Sequence, residues 1–479
     1  MKQSKSDRNI DILHIGATGF AGKLVAERFL MAKAADPSLR IVFAGRNAQR
    51  LQASIAECVS NVSPTPESTP DCLEVDISVP SGHLEQLVGR SSVVCTTVGP
   101  YSRLGEPLVA ACAKTGTDYV DLTGEVQWIQ AMIARYHGTA RASGARIVHA
   151  CGFDSVPSDI GLHAAAAEFR KRYGEEPDTG LFYLGHSVGG FSGGTVESML
   201  EVLQAARRDP SVRQAVTDPM SLANAGREAA AEKKAMGSQG RAEATDTGTP
   251  GQPSGSKRGP AGCGIPQKMV ARDGETGVWS VPFFMGAVNE KVVRRSRELE
   301  HGDAAALCYA ERIPTGRGAS GFLRAITLQA AMGLFMALLA LGPARWFLRR
   351  FVLPKPGSGP RVARERRGEF SVNTTVWKRE DVYYADVETH APARGRHSGV
   401  TATISSDRDP GYGATAIMLS ESALCLLDDR RADRDGNTGR NNYANTGGTT
   451  AAGVLTPAVA MNGKLRKRLN AAGVKISVE

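Results

Sequence analysis

Three glycines at three-residue intervals, Gly16, Gly19 and Gly22, stand where the apolar run "DILHI" (11–15) breaks and leucine, valine and alanine begin to recur at helical spacing. A strand–turn–helix junction of this kind has a chemical use. Glycine at the first position permits a sharp turn, at the second it lets the main chain approach a ligand, and at the third it lets the helix lie close to the strand. The helix that opens there aims unpaired N–H groups and the positive end of its dipole at an anion. Gly16, Ala17, Thr18, Gly19, Phe20, Ala21 and Gly22 are therefore read as a backbone cradle for the diphosphate of a dinucleotide, a purely structural turn being the alternative.

Which dinucleotide is a question for the end of the next apolar run, "RIVFAGRN" (40–47). A site for NAD usually places an acidic residue there to accept from the ribose hydroxyls. Here Arg46, followed by Asn47, offers a planar guanidinium that matches a 2′-phosphate in charge and shape, which predicts NADPH. Asp76 closes the third run and could meet the adenine edge or cap the helix of "SVPSGHLEQL". The fourth run ends in "TTVGPY" (96–101), where Val98, Gly99 and Pro100 turn at the edge of a sheet on which ligands of open α/β folds collect. Tyr101 there is either a proton donor to nicotinamide or substrate or a packed loop tyrosine. The sixth run leads into "CGFDSVPSDIG" (151–161), whose Asp154 and Ser155 could orient substrate or serve as helix caps. No nucleophile triad, phosphate-binding P-loop, kinase set or metal constellation is found in the sequence. Hydride chemistry needs none of them, because the cofactor carries the reactive centre.

These residues require a parallel sheet to bring them to one edge. The runs "IDILHI", "RIVFAG", "CLEVDI", "SVVCTTV", "DYVDL" and "ARIVHA" alternate with helical stretches near 20–33, 47–59, 105–116 and 125–136, as βαβ units demand. The fold class predicted is α/β, with an N-terminal doubly wound parallel sheet of Rossmann type over 1–160 and a second, α+β domain over 161–479. Strand candidates in the second domain are 181–188, 370–377, 381–390 and 400–405, with helices from about Val196 and near 414–427 and 461–471. Residues 237–262 and 428–448 are rich in glycine, serine or charge and read as flexible segments.

The 479 residues carry a net charge of +9, and residues 343–370 hold eight Lys/Arg against Glu365 and Glu369, so +6 of the +9 is local. No zinc finger, RNA-binding signature or aromatic-interleaved basic stripe is present, which argues against nucleic acid as a partner. Just before that basic segment, "ITLQAAMGLFMALLALG" (326–342) is the most apolar window. Its 17 residues would reach only about 25 Å, short of a hydrocarbon core of roughly 30 Å. A core helix, contact with an anionic lipid surface, and a marginal spanning helix all fit. The eight cysteines are scattered without a CxxC pair and read as buried thiols. The polar start "MKQSKSDRN" carries no signal peptide, which predicts a cytoplasmic protein, either free or held at a membrane surface.

Taken together, "GATGFAGKLVAE", "FAGRN", "TTVGPYSRLGEPLVAACAKTGTDYVDLTGE", "ACGFDSVPSDIG", "SGGTVESML", "VVRRSREL", "PKPGSGP" and "GVLTPA" resemble the saccharopine dehydrogenase-like oxidoreductases, a family that includes the bacterial trans-acting enoyl reductases. The resemblance implies a second domain that serves substrate binding and dimerisation, a homodimer, and cofactor contacts at Gly16, Gly19, Gly22, Arg46 and Gly99. It further implies NADPH-dependent reduction of a carbon–carbon double bond in an apolar, lipid- or polyketide-like substrate. Saccharopine-type amino-acid dehydrogenation is an alternative, though "CGFDSVPSD" departs from the saccharopine reductases and supplies no cation for carboxylates. The resemblance also implies association with a lipid droplet or membrane surface, and a non-catalytic lipid-droplet or membrane-surface protein that keeps the nucleotide-binding fold is another alternative.

Overall fold

The computed structural model describes residues 8–188, 193–227, 268–274, 276–302, 306–351, 368–378, 399–434 and 452–479. In its first part the apolar runs become strands and the helical stretches become crossovers: β1 (Ile10–Ile15), α1 (Phe20–Ala35), β2 (Ile41–Gly45), α2 (Ala48–Asn61), β3 (Asp71–Glu74), α3 (Gly82–Gly89), β4 (Ser91–Thr96), α4 (Glu106–Thr115), β5 (Asp118–Val120), α5 (Val126–Ser143), β6 (Arg146–Val148) and α6 (Val156–Tyr173). Every position of β1 is buried, and its neighbours Ile12 and Leu13 enter two different apolar clusters, so both faces of the sheet are covered. All pairings in this sheet are parallel, in the order β3-β2-β1-β4-β5-β6. The order reverses between β1 and β4, which opens a crevice at their carboxyl ends.

The second part supplies β7 (Thr179–Val188), α7 (Gly193–Arg208), β8 (Ala271–Arg272), β9 (Val278–Pro282), α8 (Gly286–His301), β10 (Cys308–Arg317), α9 (Gly318–Ala340), α10 (Gly342–Phe351), β11 (Glu369–Trp377), β12 (Val400–Ser406), α11 (Thr415–Arg434), β13 (Gly453–Leu455), α12 (Pro457–Ala471) and β14 (Lys475–Val478). A mixed sheet runs β14-β12-β11-β7-β10-β9-β8, in which β10 lies parallel to β7 and the other pairs are antiparallel. The expected strand at 381–390 and the segment 237–262 fall outside the described residues. Residues 428–434, read from sequence as part of a flexible segment, instead continue α11.

A cut at residue 160 does not separate the two sheets. Strand β13 pairs with β6 and becomes the seventh strand of the first sheet, with Gly453 opposite Arg146. Helix α11 is fastened to the same sheet by buried charge: Arg146 bonds Asp118 and Asp429 at 2.6 Å each, and Arg430 also donates to Asp118. Three residues of "GVL" gave too short an apolar signal to be read as a strand.

Two further expectations change. Residues 326–340 of the apolar window lie in a 23-residue helix, α9, which begins upstream at Gly318 because Arg324 is a good helix former and does not break it. Within Gly318–Leu339 only Gly321, Ala325 and Leu339 are buried, so it is no core helix. Cys58, Cys95, Cys112, Cys151 and Cys425 are buried thiols and Cys72 is half-buried, but Cys308 is disulfide-bonded.

Candidate active site

The β1–α1 junction has the geometry its glycines require. Gly16 takes φ +111°, and a Cβ there would stand 2.5 Å from Thr97 Oγ1. At Gly22 a Cβ would stand 1.9 Å from the Gly16 carbonyl oxygen, so α1 can approach the turn only with glycine at that position. Gly19 is the N-cap; its N–H donates to the Gly16 oxygen at 3.0 Å, no side chain caps the first turn, and no acidic residue lies in it. The opening N–H groups are thus left for an external anion. Ser54 Oγ holds the Ala17 carbonyl at 2.7 Å, tying the loop to α2. Thr18 and Ala21 are partly exposed at the lip, while the Phe20 ring packs edge-on to Tyr412 at 4.8 Å. This cradle fits a diphosphate.

Behind it lies a residue the sequence reading passed over. His14, in the middle of β1, is fully buried between Phe29 and Phe43, and its ring nitrogens face the Gly22 carbonyl at 3.1 Å and the Cys95 carbonyl at 3.3 Å. Burial pulls its pKa down to about 4, so it is neutral and can donate to only one of the two.

At the end of β2, Arg46 is exposed and has no ion-pair partner among the described residues. Asn47 is otherwise employed: its side-chain oxygen accepts from Arg50 N at 2.7 Å and caps α2. Asp76 does not cap α3; Ser81 does so through Leu84 N, while Asp76 accepts from Ser78 N at 2.8 Å in the exposed loop after β3.

The turn after β4 lies against the cradle, with Val98 Cγ2 3.0 Å from a Cβ placed on Gly16. Gly99 is exposed and Pro100 half-buried. Tyr101 corrects an expectation. Its hydroxyl donates to the Thr96 carbonyl at 3.2 Å, its ring packs on Trp128, and burial raises its pKa well above 10, so it is a packed residue rather than a proton donor. What fixes this turn is Glu125, wholly buried, which accepts from Tyr101 N at 2.8 Å and Ser102 N at 2.9 Å and takes a third bond from Ser198 Oγ at 3.1 Å.

The loops after β5 and β6 are organised by Asp121. It accepts from Tyr119 Oη (2.9 Å), His149 Nδ1 (2.7 Å), Thr123 N (3.1 Å) and Ala150 N (3.1 Å). The last bond holds Ala150 at φ +59°, a left-handed conformation that L residues other than glycine seldom adopt. Five residues on, Ser155 does not cap α6; its Oγ donates to Asn289 Oδ1 at 3.1 Å, and Asn289 Nδ2 donates to Glu311 at 2.8 Å. Asp154 beside it is half-buried, has no hydrogen-bond partner among the described residues, and is raised by burial to about 6. The "YVDLTGE" acids were visible in the sequence, but their partners lie on other elements and were not.

Comparison with known proteins agrees with this geometry. Residues 12–148 match the saccharopine dehydrogenase NADP binding domain. A Mycobacterium tuberculosis H37Rv protein named as a candidate trans-acting enoyl reductase is 38% identical over 477 residues, which covers 98% of this chain and 97% of that one. The trans-acting enoyl reductase of Mycobacterium ulcerans is 34% identical over 485 residues, 99% of each. The chain belongs to the trans-acting enoyl reductase family. It is an NAD(P)H oxidoreductase with a Rossmann-type NADP-binding domain, and its cofactor is NADPH. Among solved structures it is similar to the L-Glu-forming saccharopine dehydrogenase of Saccharomyces cerevisiae, at 13% identity and a TM-score of 0.47 over 98% of this chain and 99% of that one.

Proposed function

We propose that this member of the trans-acting enoyl reductase family saturates an activated carbon–carbon double bond in an apolar, lipid- or polyketide-like acyl substrate. The observation that carries the reading is the uncapped glycine cradle beside the turn that Glu125 fixes. NADPH, when bound, supplies the hydride, which adds to the β-carbon. The protein does the rest. The opening N–H groups of α1 would hold the diphosphate and Arg46 the 2′-phosphate, with Val98, Gly99 and Pro100 lining the crevice beside the cradle. Asp154, at the carboxyl edge beyond β6 and half-buried, gives its proton to the α-carbon, so that the double bond gains one hydride and one proton and the carboxylate is reprotonated from solvent.

The test follows absorbance of the reduced nicotinamide during turnover of long-chain α,β-unsaturated acyl thioesters, with saccharopine as the competing substrate class. Enoyl-dependent oxidation of NADPH is expected. Asp154→Asn should lower kcat about 100-fold while leaving NADPH affinity intact. Activity with saccharopine alone would overturn the substrate reading, and an unimpaired Asp154→Asn would overturn the assignment of the acid.

A further inference from the structure

Thirteen large apolar side chains are exposed among the described residues, and nine of them fall between Phe322 and Phe351. This clustering follows from how α9 is seated. Its inner side is anchored by Ala325, fully buried, by the Phe322–Trp279 ring contact at 4.7 Å, and by Leu339 against Leu200 of α7. The opposite side leaves Leu323, Ile326, Leu334 and Leu341 exposed by 65, 43, 62 and 59%. Helix α10 extends the same surface with Trp346, Phe347 and Phe351, at 64, 53 and 63%. Soluble monomers rarely leave a contiguous apolar surface of this extent open.

A spanning helix is ruled out by the connections. At about 1.5 Å per residue the 23 residues of α9 would cross a bilayer. But β10 ends at Arg317, directly before α9, and β11 follows α10, and both strands pair with β7 in one sheet. One crossing would put them on opposite sides of the membrane. The chain cannot cross back either, because α10 has ten residues and 352–367 carries Lys355, Arg361, Arg364, Arg366 and Arg367.

We propose that α9 and α10 form a docking surface that sinks into one leaflet of an anionic membrane. Charge selects this occupant over a second copy of the chain. Arg345 and Arg350 border the aromatic residues and have no carboxylate partner among the described residues, Arg350 lying over the Phe351 ring at 5.4 Å. A two-fold interface built on this face would bring like charges together, whereas phospholipid headgroups neutralise them. Tryptophan with arginine beside an apolar helix is the composition of an interfacial element. The surface is also one helix away from the site. In α7, Leu200 packs on α9 while Ser198, two residues earlier, bonds Glu125. An acyl chain held in the leaflet therefore needs to pass only α7 to reach the turn after β4.

The full chain is floated with vesicles of phosphatidylcholine alone and with one third phosphatidylglycerol, alongside sedimentation to fix its oligomeric state. Wild type should float with the anionic vesicles, several-fold less with neutral ones, and less as salt is raised. Leu334→Asp with Phe347→Asp, both at exposed positions, should abolish flotation with an unchanged Tm, and Arg345→Glu with Arg350→Glu should weaken it several-fold. Binding to neither vesicle, or flotation that survives both pairs, overturns the proposal. So does a dimer that these variants dissociate in a protein that never floats. NADPH oxidation with a soluble short-chain enoyl thioester is independent of this outcome and reports on the enzymatic reading alone.

Discussion

The Asp159 carboxylate accepts the N–H of Ala458 at 2.8 Å and so joins the first turns of α6 and α12 across 299 residues of chain. Its other oxygen takes the Ser296 hydroxyl, which also meets Thr456 Oγ1 at 2.6 Å. Three separated stretches, "CGFDSVPSDIG", "VVRRSREL" and "GVLTPA", thus meet in one buried knot beneath the site. Burial raises the Asp159 pKa to about 7 against an unfolded value of 3.8. A raised acid stabilises the fold at low pH and loses that contribution as pH climbs from about 4 to 7, by up to roughly 4 kcal/mol. Asp159→Asn keeps an acceptor for Ala458 and carries no charge. Urea unfolding from pH 5 to 8 should show a flatter profile for Asp159→Asn than for wild type, with Glu311, also raised to about 7 by burial, maintaining part of the slope.

His14 has the opposite sign. Its folded pKa of about 4 lies below the unfolded 6.5, so its contribution is complete above 6.5 and is lost as pH falls toward 4, by roughly 3 kcal/mol. His14→Leu should remove part of the acid-side loss between pH 6.5 and 4.5 in a titration carried down to pH 4.5, even where it lowers stability at neutral pH, with His137, also lowered to about 4 by burial, maintaining the rest. An unchanged acid limb would show that other groups govern it.

Two glycines separate a structural from a ligand-binding role. Gly22→Ala puts a methyl 1.9 Å from the Gly16 oxygen, so the turn must shift by about 1 Å, enough to cost on the order of 100-fold in NADPH affinity and to lower Tm as well. Gly19→Ala meets nothing closer than 3.5 Å within the protein. Its methyl intrudes only on the path of the phosphates, so Tm should hold while NADPH affinity, read by cofactor fluorescence, falls about tenfold. Equal affinity for wild type and Gly19→Ala would move the diphosphate elsewhere.

The parts of this molecule that were legible in the sequence are those written in short-range periods. Strands β1 to β6 follow from β-branched runs, and the cradle follows from three glycines at a fixed interval. What escaped depends on partners distant in sequence. Ser155 reads as a cap or a substrate-orienting hydroxyl but bonds Asn289, 134 residues away, because the α6 terminus is packed against α8. Tyr101 reads as either a donor or a packed tyrosine, and only the folded chain decides, because Trp128 and the Thr96 carbonyl draw it into the core. Glu125 sat within a quoted stretch and went unremarked, since only the folded chain brings the two N–H groups of the preceding turn to it.

In the proposed assignment cofactor choice turns on Arg46, and its setting makes the test clean. It is exposed and makes no ion pair among the described residues, so its replacement should leave the fold intact. A guanidinium on a phosphate forms charge-assisted bonds of about 1.5–3 kcal/mol, which corresponds to roughly ten- to a hundred-fold in affinity. Arg46→Asp should therefore weaken NADPH by that factor and leave NADH unchanged or slightly improved, because a carboxylate there can accept from the 2′- and 3′-hydroxyls. Calorimetric titration of wild type and Arg46→Asp with both dinucleotides decides it. Parallel losses for NADPH and NADH would place Arg46 in general electrostatic attraction, and the 2′-phosphate would need another partner.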